Sequence, residues 1–196
     1  MALMATAMIS CNGNNQNSIF PAGCELRTGD IVFRRGGGIS SHAVMMADIN
    51  GRYSHVGIVV DSAGKKMIVH AVPGEPDFEG DPDRVKMDTP EKFFSVTNAN
   101  AGEVKRLRGD TLTPIKAAAF AMEIYRRNTL FDHDYDDSDT TKMYCCEIVE
   151  FAYAKAGRSL AGTVRHDIKL PGLNAFHCML PSDICNSKLL ISIIDF

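Results

Sequence analysis

The sequence predicts an α+β fold in which an antiparallel β-sheet packs against helices. Three observations predict this class. Two β-branched runs, residues 53–61 and 66–72, flank a short turn, which is typical of an antiparallel hairpin. Two segments with helical periodicity follow at residues 113–127 and 144–156. A final apolar run at residues 189–194 predicts one more strand.

Shorter elements surround the hairpin in the first half of the chain. Residues 24–33 read CELRTGDIVF, in which Thr-Gly-Asp is typical of a turn and Ile-Val-Phe of a buried strand. Residues 41–49 predict a short helix. An acidic loop rich in Gly and Pro occupies residues 73–83, and strands are predicted at residues 84–87 and 103–107.

The two longer helices carry recognisable boundaries. For the first, we expect Thr113 as the N-cap, with Pro114 in the first turn. An acidic loop, residues 131–141, separates the two helices. The second helix is predicted to begin near Tyr144 and to end at Gly157 as a C-cap. Its spacing places five small or apolar side chains on one face: Cys145, Ile148, Val149, Ala152 and Ala156.

Length and charge restrict the classes of protein that the chain can represent. With 196 residues, we expect one domain over residues 21–196. The net charge is −3 and no long basic run is present, which disfavours nucleic-acid binding.

The first 20 residues read as a separate segment. Residues 1–10 are small and apolar, and Met8-Ile9-Ser10-Cys11 resembles the lipobox of a bacterial lipoprotein. The polar residues that follow are typical of a flexible tether. Two interpretations stay open: a truncated lipoprotein signal, which would place the protein in the cell envelope or periplasm with a membrane lipid on Cys11, or the ordinary N-terminus of a cytoplasmic protein.

The six cysteines do not form a metal-binding pattern. No CxxC pair or zinc-type spacing is present, so we predict neither a metal nor another cofactor. The acidic loop also lacks the spacing of a calcium-binding loop. Cys178 and Cys185 could form a disulfide in an exported protein, or both could be buried free thiols.

Adjacent cysteines at the start of a helix suggest a nucleophile. The helix dipole and the unpaired backbone N–H groups of a first turn favour a thiolate, and the same N–H groups can bind an oxyanion. A cysteine hydrolase also needs a histidine as base and a group that orients it. His55 and His70 lie in the two strands of the predicted hairpin and can share one face.

A structural interpretation competes with each of these roles. Cys145 and the two histidines could simply be core residues, because spacing alone does not bring Cys145 to His55. Cys146 could be a packing residue or a rival nucleophile. Tyr53 and His42 could contact substrate, or they could serve in packing and at the surface.

The order of four segments resembles a known family. GDIVF, YSHVGIVV, KMIVHAV and MYCCEIVEFAYAKAG resemble, in that order, the circularly permuted NlpC-type papain-like hydrolases. The branch that looks most similar is the YiiX-like one, related to the lecithin:retinol acyltransferase group. The resemblance implies Cys145 as nucleophile and His55 as general base. His70 stands where this branch typically has Glu, and Cys146 where it usually has Ser.

The resemblance implies the reaction type better than the substrate. It implies a cysteine-dependent amidase or peptidase that attacks an amide or ester through a Cys-His-His site, with cell-wall peptides as candidate substrates. The alternatives are an acyl or lipid hydrolase or acyltransferase, and a catalytically silent module that binds lipids or peptides. A polar slot with an acidic anchor beside Cys145 would suit a peptide, whereas a long apolar groove would suit an acyl chain. The oligomeric state stays open.

Overall fold

The fold is built on one six-stranded antiparallel sheet. The computed structural model describes residues 17–49, 51–169 and 175–196. The strands run in the order β10-β5-β1-β2-β3-β4 across the sheet, and every neighbouring pair is antiparallel. Two small two-stranded sheets lie outside it, β6 with β7 and β8 with β9. The strands of the described residues are β1 Ile31–Arg35, β2 His55–Ser62, β3 Lys65–Ala71, β4 Val85–Asp88, β5 Ala101–Leu107, β6 Leu130–Phe131, β7 Lys142–Met143, β8 His166–Ile168, β9 Phe176–Cys178 and β10 Leu190–Asp195.

The predicted hairpin is confirmed as β2 and β3. Its two-residue turn is Ala63-Gly64, and both residues have positive φ, as a type I′ turn requires. The last β2–β3 pair toward the open end of the hairpin is Ile58 with Val69. The β2–β3 ladder ends at that pair, although Gly57 still lies opposite His70, and this end of the ladder matters for the site described below.

The longer helices cover one face of the sheet. The helices are α1 Ile39–Ala47, α2 Pro90–Phe93, α3 Leu112–Arg126, α4 Cys145–Lys155 and α5 Pro181–Cys185. Helices α3 and α4 pack on the face that carries Val56, Ile58 and Val69 and form the larger core. Helix α4 ends as predicted: Gly157 has φ +97°, and the N–H of Arg158 reaches back to the carbonyl of Tyr153 in a Schellman motif.

A smaller core covers the opposite face. It joins Val59 and Ile68 of the hairpin to Phe93 and Phe94 at the end of α2. Ile19 and Phe20 pack against this core, and Ile19 N–H donates to the carbonyl of Phe94. Residues 17–20, which the sequence suggested as part of a tether, therefore belong to the folded unit. The lipobox at Cys11 lies outside the described residues.

Several boundaries differ from the predictions. Helix α1 begins at Ile39, two residues earlier than expected. Thr113 is not the N-cap of α3; the carboxylate of Asp110 accepts the N–H groups of Leu112 and Thr113 instead, because an ionised carboxylate is the better acceptor at a positive helix end. No helix in the described part of the chain is both long and apolar enough to cross a bilayer.

Candidate active site

Cys145 is the first residue of α4 and is partly accessible. Its predecessor Tyr144 is extended, so the chain turns into the helix at the thiol itself. The first N–H groups of a helix have no intrahelical acceptor and point toward whatever lies at the helix end. Cys145 lies in the wall of a cavity of about 410 Å³. The sulfur is therefore placed at a helix start with a route from solvent.

Three polar side chains form a diagonal across the hairpin and the next strand. The β2–β3 register places His70 opposite Gly57, two residues from His55. The β3–β4 register pairs His70 with Lys86, so Asp88 is again two residues away. Residues two apart on a strand share a face, and long side chains on diagonal neighbours can reach each other. His55, His70 and Asp88 consequently meet on one face of the sheet.

Hydrogen bonds connect these three side chains in series. The Nε2 of His55 lies 2.9 Å from the Nδ1 of His70, and the Nε2 of His70 lies 3.0 Å from an Oδ of Asp88. All three side chains are buried. Because His55 uses Nε2 for His70, its Nδ1 is the ring nitrogen that can serve Cys145, whose thiol contacts the His55 ring.

The surroundings of Cys145 favour its thiolate. The thiol of Cys146, with its sulfur 3.9 Å away, is the strongest influence and lowers the pKa of Cys145 well below its usual value. Burial opposes this effect, whereas the His55 ring and the N–H of Val56 add to it. That N–H is not part of the β2–β3 ladder, because Val56 lies beyond the last pair, Ile58 with Val69. Burial and the neighbouring thiolate raise the pKa of Cys146 well above its usual value.

Burial disfavours the charged form of both histidine rings. It lowers the pKa of His55 to about 4 despite the nearby sulfur, and it lowers the pKa of His70 to about 4 despite the bond to Asp88. A buried cation, Arg34, adds to both effects; its guanidinium lies over the Phe93 ring and donates to Glu75. Burial alone would raise the pKa of Asp88, but the bonds from His70 and Lys92 hold it well below its usual value.

The cavity beside the sulfur is apolar. Helix α1 closes one side of it, and Ile39 both lines the cavity and projects into solvent with 92% of its surface exposed. Among the described residues, no Asp, Glu, Lys or Arg lines the wall. The apolar part of the wall includes Ile39, Ala43, Val44, Ala47, Ile168, Phe176, Met179 and Leu180, and the polar part includes Ser54, His133 and Tyr135.

Of the three residues predicted to contact substrate, only Cys146 lines the cavity, whereas Tyr53 and His42 do not. Cys146 lines the cavity, but it is 1% exposed and its raised pKa suits a packing thiol. Tyr53 lies in the larger core, and its hydroxyl donates to Asp195 at 3.0 Å, away from the cavity. His42 is on the exposed face of α1 and does not line the cavity. The alternatives of packing for Tyr53 and surface for His42 are therefore the ones that the geometry supports.

Sequence reasoning missed Asp88 and most of the cavity wall. Asp88 follows Val-Lys-Met in a short strand, and an Asp in that place carries no signal unless the β3–β4 register is known. His133 and Tyr135 belong to the acidic loop, which borders the cavity. The segment from Ile168 to Leu180 shows no periodicity that would mark it as a wall.

Four other cysteines and histidines of the described residues are not arranged as metal ligands: Cys178, Cys185, His166 and His177. Cys178 and Cys185 are both buried free thiols, so the disulfide alternative is wrong for this structure. His166 is paired with Asp183 and His177 with Asp167. Within residues 17–49, 51–169 and 175–196, no group of three or more His, Cys, Asp or Glu side chains is arranged to hold a metal ion.

Fold and site together define an α+β protein with a cysteine at a helix start beside a buried histidine. No known family profile matches the chain, and no curated protein matches it. Among solved structures, the chain is similar to YiiX from Escherichia coli O157:H7, which is described as a metalloprotein. The two share 18% sequence identity with a TM-score of 0.67, over 87% of this chain and 97% of YiiX. The chain therefore has a YiiX-like fold, as the sequence predicted.

Proposed function

We propose that this protein is a cysteine-dependent acyl hydrolase, built as a circularly permuted NlpC-type papain-like enzyme with Cys145 as nucleophile. One observation carries the proposal: the sulfur that contacts His55 lies in the wall of an apolar cavity without charged side chains among the described residues. Such a wall suits a hydrocarbon chain and offers no anchor for the charged ends of a peptide. The acyl alternative is therefore favoured over the peptidase that we expected first.

The chemistry begins with the proton that Cys145 and His55 share. The proton lies on Nδ1 of His55 when the sulfur is a thiolate, and the thiolate attacks the carbonyl carbon of an acyl ester or amide. A C–S bond forms as the carbonyl oxygen takes on negative charge. Backbone N–H groups at the first turn of α4 stabilise that oxyanion, because they have no intrahelical acceptors and lie at the positive end of the helix dipole.

Collapse of this intermediate expels the leaving group. The bond from carbon to the leaving oxygen or nitrogen breaks, and His55 gives its proton to that atom. The acyl group is then held on Cys145 as a thioester. A water molecule attacks the thioester and returns one proton to the His55–Cys145 pair, releasing a carboxylic acid and the free sulfur. If an alcohol or amine attacks in place of water, the same steps amount to acyl transfer.

The test compares esters that differ only in the length of their acyl chain. We expect p-nitrophenyl octanoate and dodecanoate to be hydrolysed with higher kcat/KM than the acetate, and the thioester to be detectable on Cys145 by mass spectrometry. Cys145→Ala should abolish turnover, whereas Cys24→Ala, a partly buried thiol of the smaller core, should retain it.

Three results would contradict the proposal. The acyl assignment fails if chain length has no effect on kcat/KM while peptide amides are cleaved. The enzymatic assignment fails if long-chain esters bind without acylating any cysteine. If Cys145→Ser keeps activity and Cys146→Ser loses it, the nucleophile is Cys146.

A further inference from the structure

We propose that Asp88 is a positioning residue that acts through His70 to fix which ring nitrogen of His55 carries the proton. The inference rests on the proposed function, because it concerns the base of the same nucleophile. Its main readout does not need turnover, so the two proposals can fail separately.

The proton positions follow from the three side chains in order. An ionised carboxylate can only accept hydrogen bonds, so the Nε2 of His70, 3.0 Å from Asp88, must carry its proton. An uncharged His70 then has a lone pair on Nδ1. That lone pair accepts the Nε2–H of His55 at 2.9 Å. An uncharged His55 is left with a lone pair on Nδ1, the nitrogen available to Cys145, and can take the thiol proton there.

Charged groups around His70 oppose a second proton on its ring. Arg34 of β1 lies over Phe93, and the Phe93 ring contacts His70 edge-on at 5.0 Å between centroids. Lys86 of β4 approaches Asp88 to 3.9 Å, and Lys92 of α2 approaches it to 2.8 Å. Arg34 and Lys86 lower the pKa of His70, and Asp88 opposes them; Glu75 pairs with Arg34, and Asp77 pairs with both lysines. With burial, the two cations favour a single defined tautomer over an imidazolium.

Lys92 makes the effect of an amide at position 88 predictable. In the native protein one carboxylate oxygen accepts from Lys92 and the other from His70. The side-chain amide of Asp88→Asn has only one oxygen, and we expect the ammonium of Lys92 to donate its hydrogen bond to that oxygen. The NH₂ group then faces the Nε2 of His70, which must become an acceptor. His70 now carries its proton on Nδ1 and donates to His55, so the proton of neutral His55 moves to Nδ1 and the base is lost.

The experiment reads the tautomers directly by ¹⁵N NMR of histidine-labelled protein. Cys145→Ser protein is used, since serine does not ionise and His55 stays neutral. We expect Nε2–H on both rings, and Nδ1–H on both after Asp88→Asn. In protein with Cys145 intact, Asp88→Asn should lower octanoate hydrolysis by about 100-fold or more. It should also lower the rate of Cys145 alkylation by iodoacetamide at neutral pH.

A second substitution separates positioning from simple stability. Lys92→Met removes the competitor for the amide oxygen, so Asp88→Asn/Lys92→Met should regain the Nε2–H tautomer and at least part of the lost alkylation rate. Lys92→Met alone is the matched control and should keep the native tautomer. A structural role would lower the unfolding midpoint in the double variant without restoring either readout.

The inference is overturned if Asp88→Asn leaves the tautomers and the alkylation rate unchanged. If Asp88→Asn does not fold, the Cys145→Ser protein with native Asp88 still tests the inference. A proton on Nδ1 of either His55 or His70 in that protein contradicts the inference. A tautomer switch in a protein that hydrolyses no ester would uphold the role of Asp88 and reject the proposed function.

Discussion

At the scale of single residues, the two adjacent cysteines have different chemistry although they are neighbours in one helix. Cys145 contacts His55 and the N–H of Val56, whereas Cys146 is enclosed, with its sulfur 3.9 Å from that of Cys145. The pKa of the first is lowered and the pKa of the second is raised. Helical spacing alone does not distinguish them, since the difference depends on which side of the helix start faces β2.

This division of roles predicts different effects for two substitutions of Cys146. Cys146→Ala removes the hydrogen bond that most strongly favours the Cys145 thiolate, so the pKa of Cys145 should rise. Cys146→Ser keeps a donor and should leave the pKa lower than Cys146→Ala does. The measurement is the pH dependence of Cys145 alkylation, followed by mass spectrometry. Coinciding pH profiles for the two variants would show that the donor has no influence.

At the scale of elements, the hairpin brings His55 and His70 together because one of its residues has no side chain. A Cβ on Gly57 would lie 2.6 Å from Ile68 Cγ2, 3.1 Å from the Val69 carbonyl oxygen and 3.3 Å from His70 Cβ. The opposed backbone cannot yield without moving β3. Glycine therefore allows the ring of His70 to lie across β2 and meet His55.

We expect Gly57→Ala to disturb the site more than the fold. The overpacking should cost about 1–3 kcal/mol of unfolding free energy, measured in urea. It should also displace His70 and lower the alkylation rate of Cys145. Gly37→Ala is the matched control, because a Cβ there meets nothing within 4 Å. A native alkylation rate in Gly57→Ala would mean that β3 adjusts without moving the ring.

The same elements show which parts of the fold and the candidate site could be predicted from the sequence. The hairpin and α4 were predictable because their patterns are local: β-branched runs around a two-residue turn, and helical spacing up to Gly157. The position of Asp88 was not predictable. Its place beside His70 depends on the pairing register of β3 with β4, and a long loop joins these two strands. The cavity wall was also hidden, because it joins α1, the acidic loop and the segment around β9, which are distant in sequence.

At the scale of the whole molecule, one sheet separates two cores that support different parts of the site. The larger core holds α4 and therefore Cys145. The smaller core contains Phe93, whose ring contacts both His55 and His70. Because the shared sheet transmits packing between its faces, we expect the two cores to unfold together.

Truncation of the smaller core tests this coupling. Phe94 is fully buried and packs against Phe20, Phe93 and Phe196. Phe94→Ala should cost about 3–5 kcal/mol, yet circular dichroism and exposure of Cys185, a buried thiol of the larger core, should still report one common urea midpoint. Val96→Ala, at a position 54% exposed, should change the stability by less than about 0.5 kcal/mol. Separate midpoints for the two probes would show independent cores.

The uncharged wall around Cys145 also selects which reagents can reach the sulfur. An ionic electrophile has to give up its hydration before it enters, and among the described residues no Asp, Glu, Lys or Arg of the wall offers a compensating charge. A neutral electrophile with an aliphatic tail meets no such barrier and gains from leaving water. Reagents that label Cys145 should therefore be sought among chloroacetamides with aliphatic tails and not among charged thiol reagents, however reactive the latter are toward cysteine in solution.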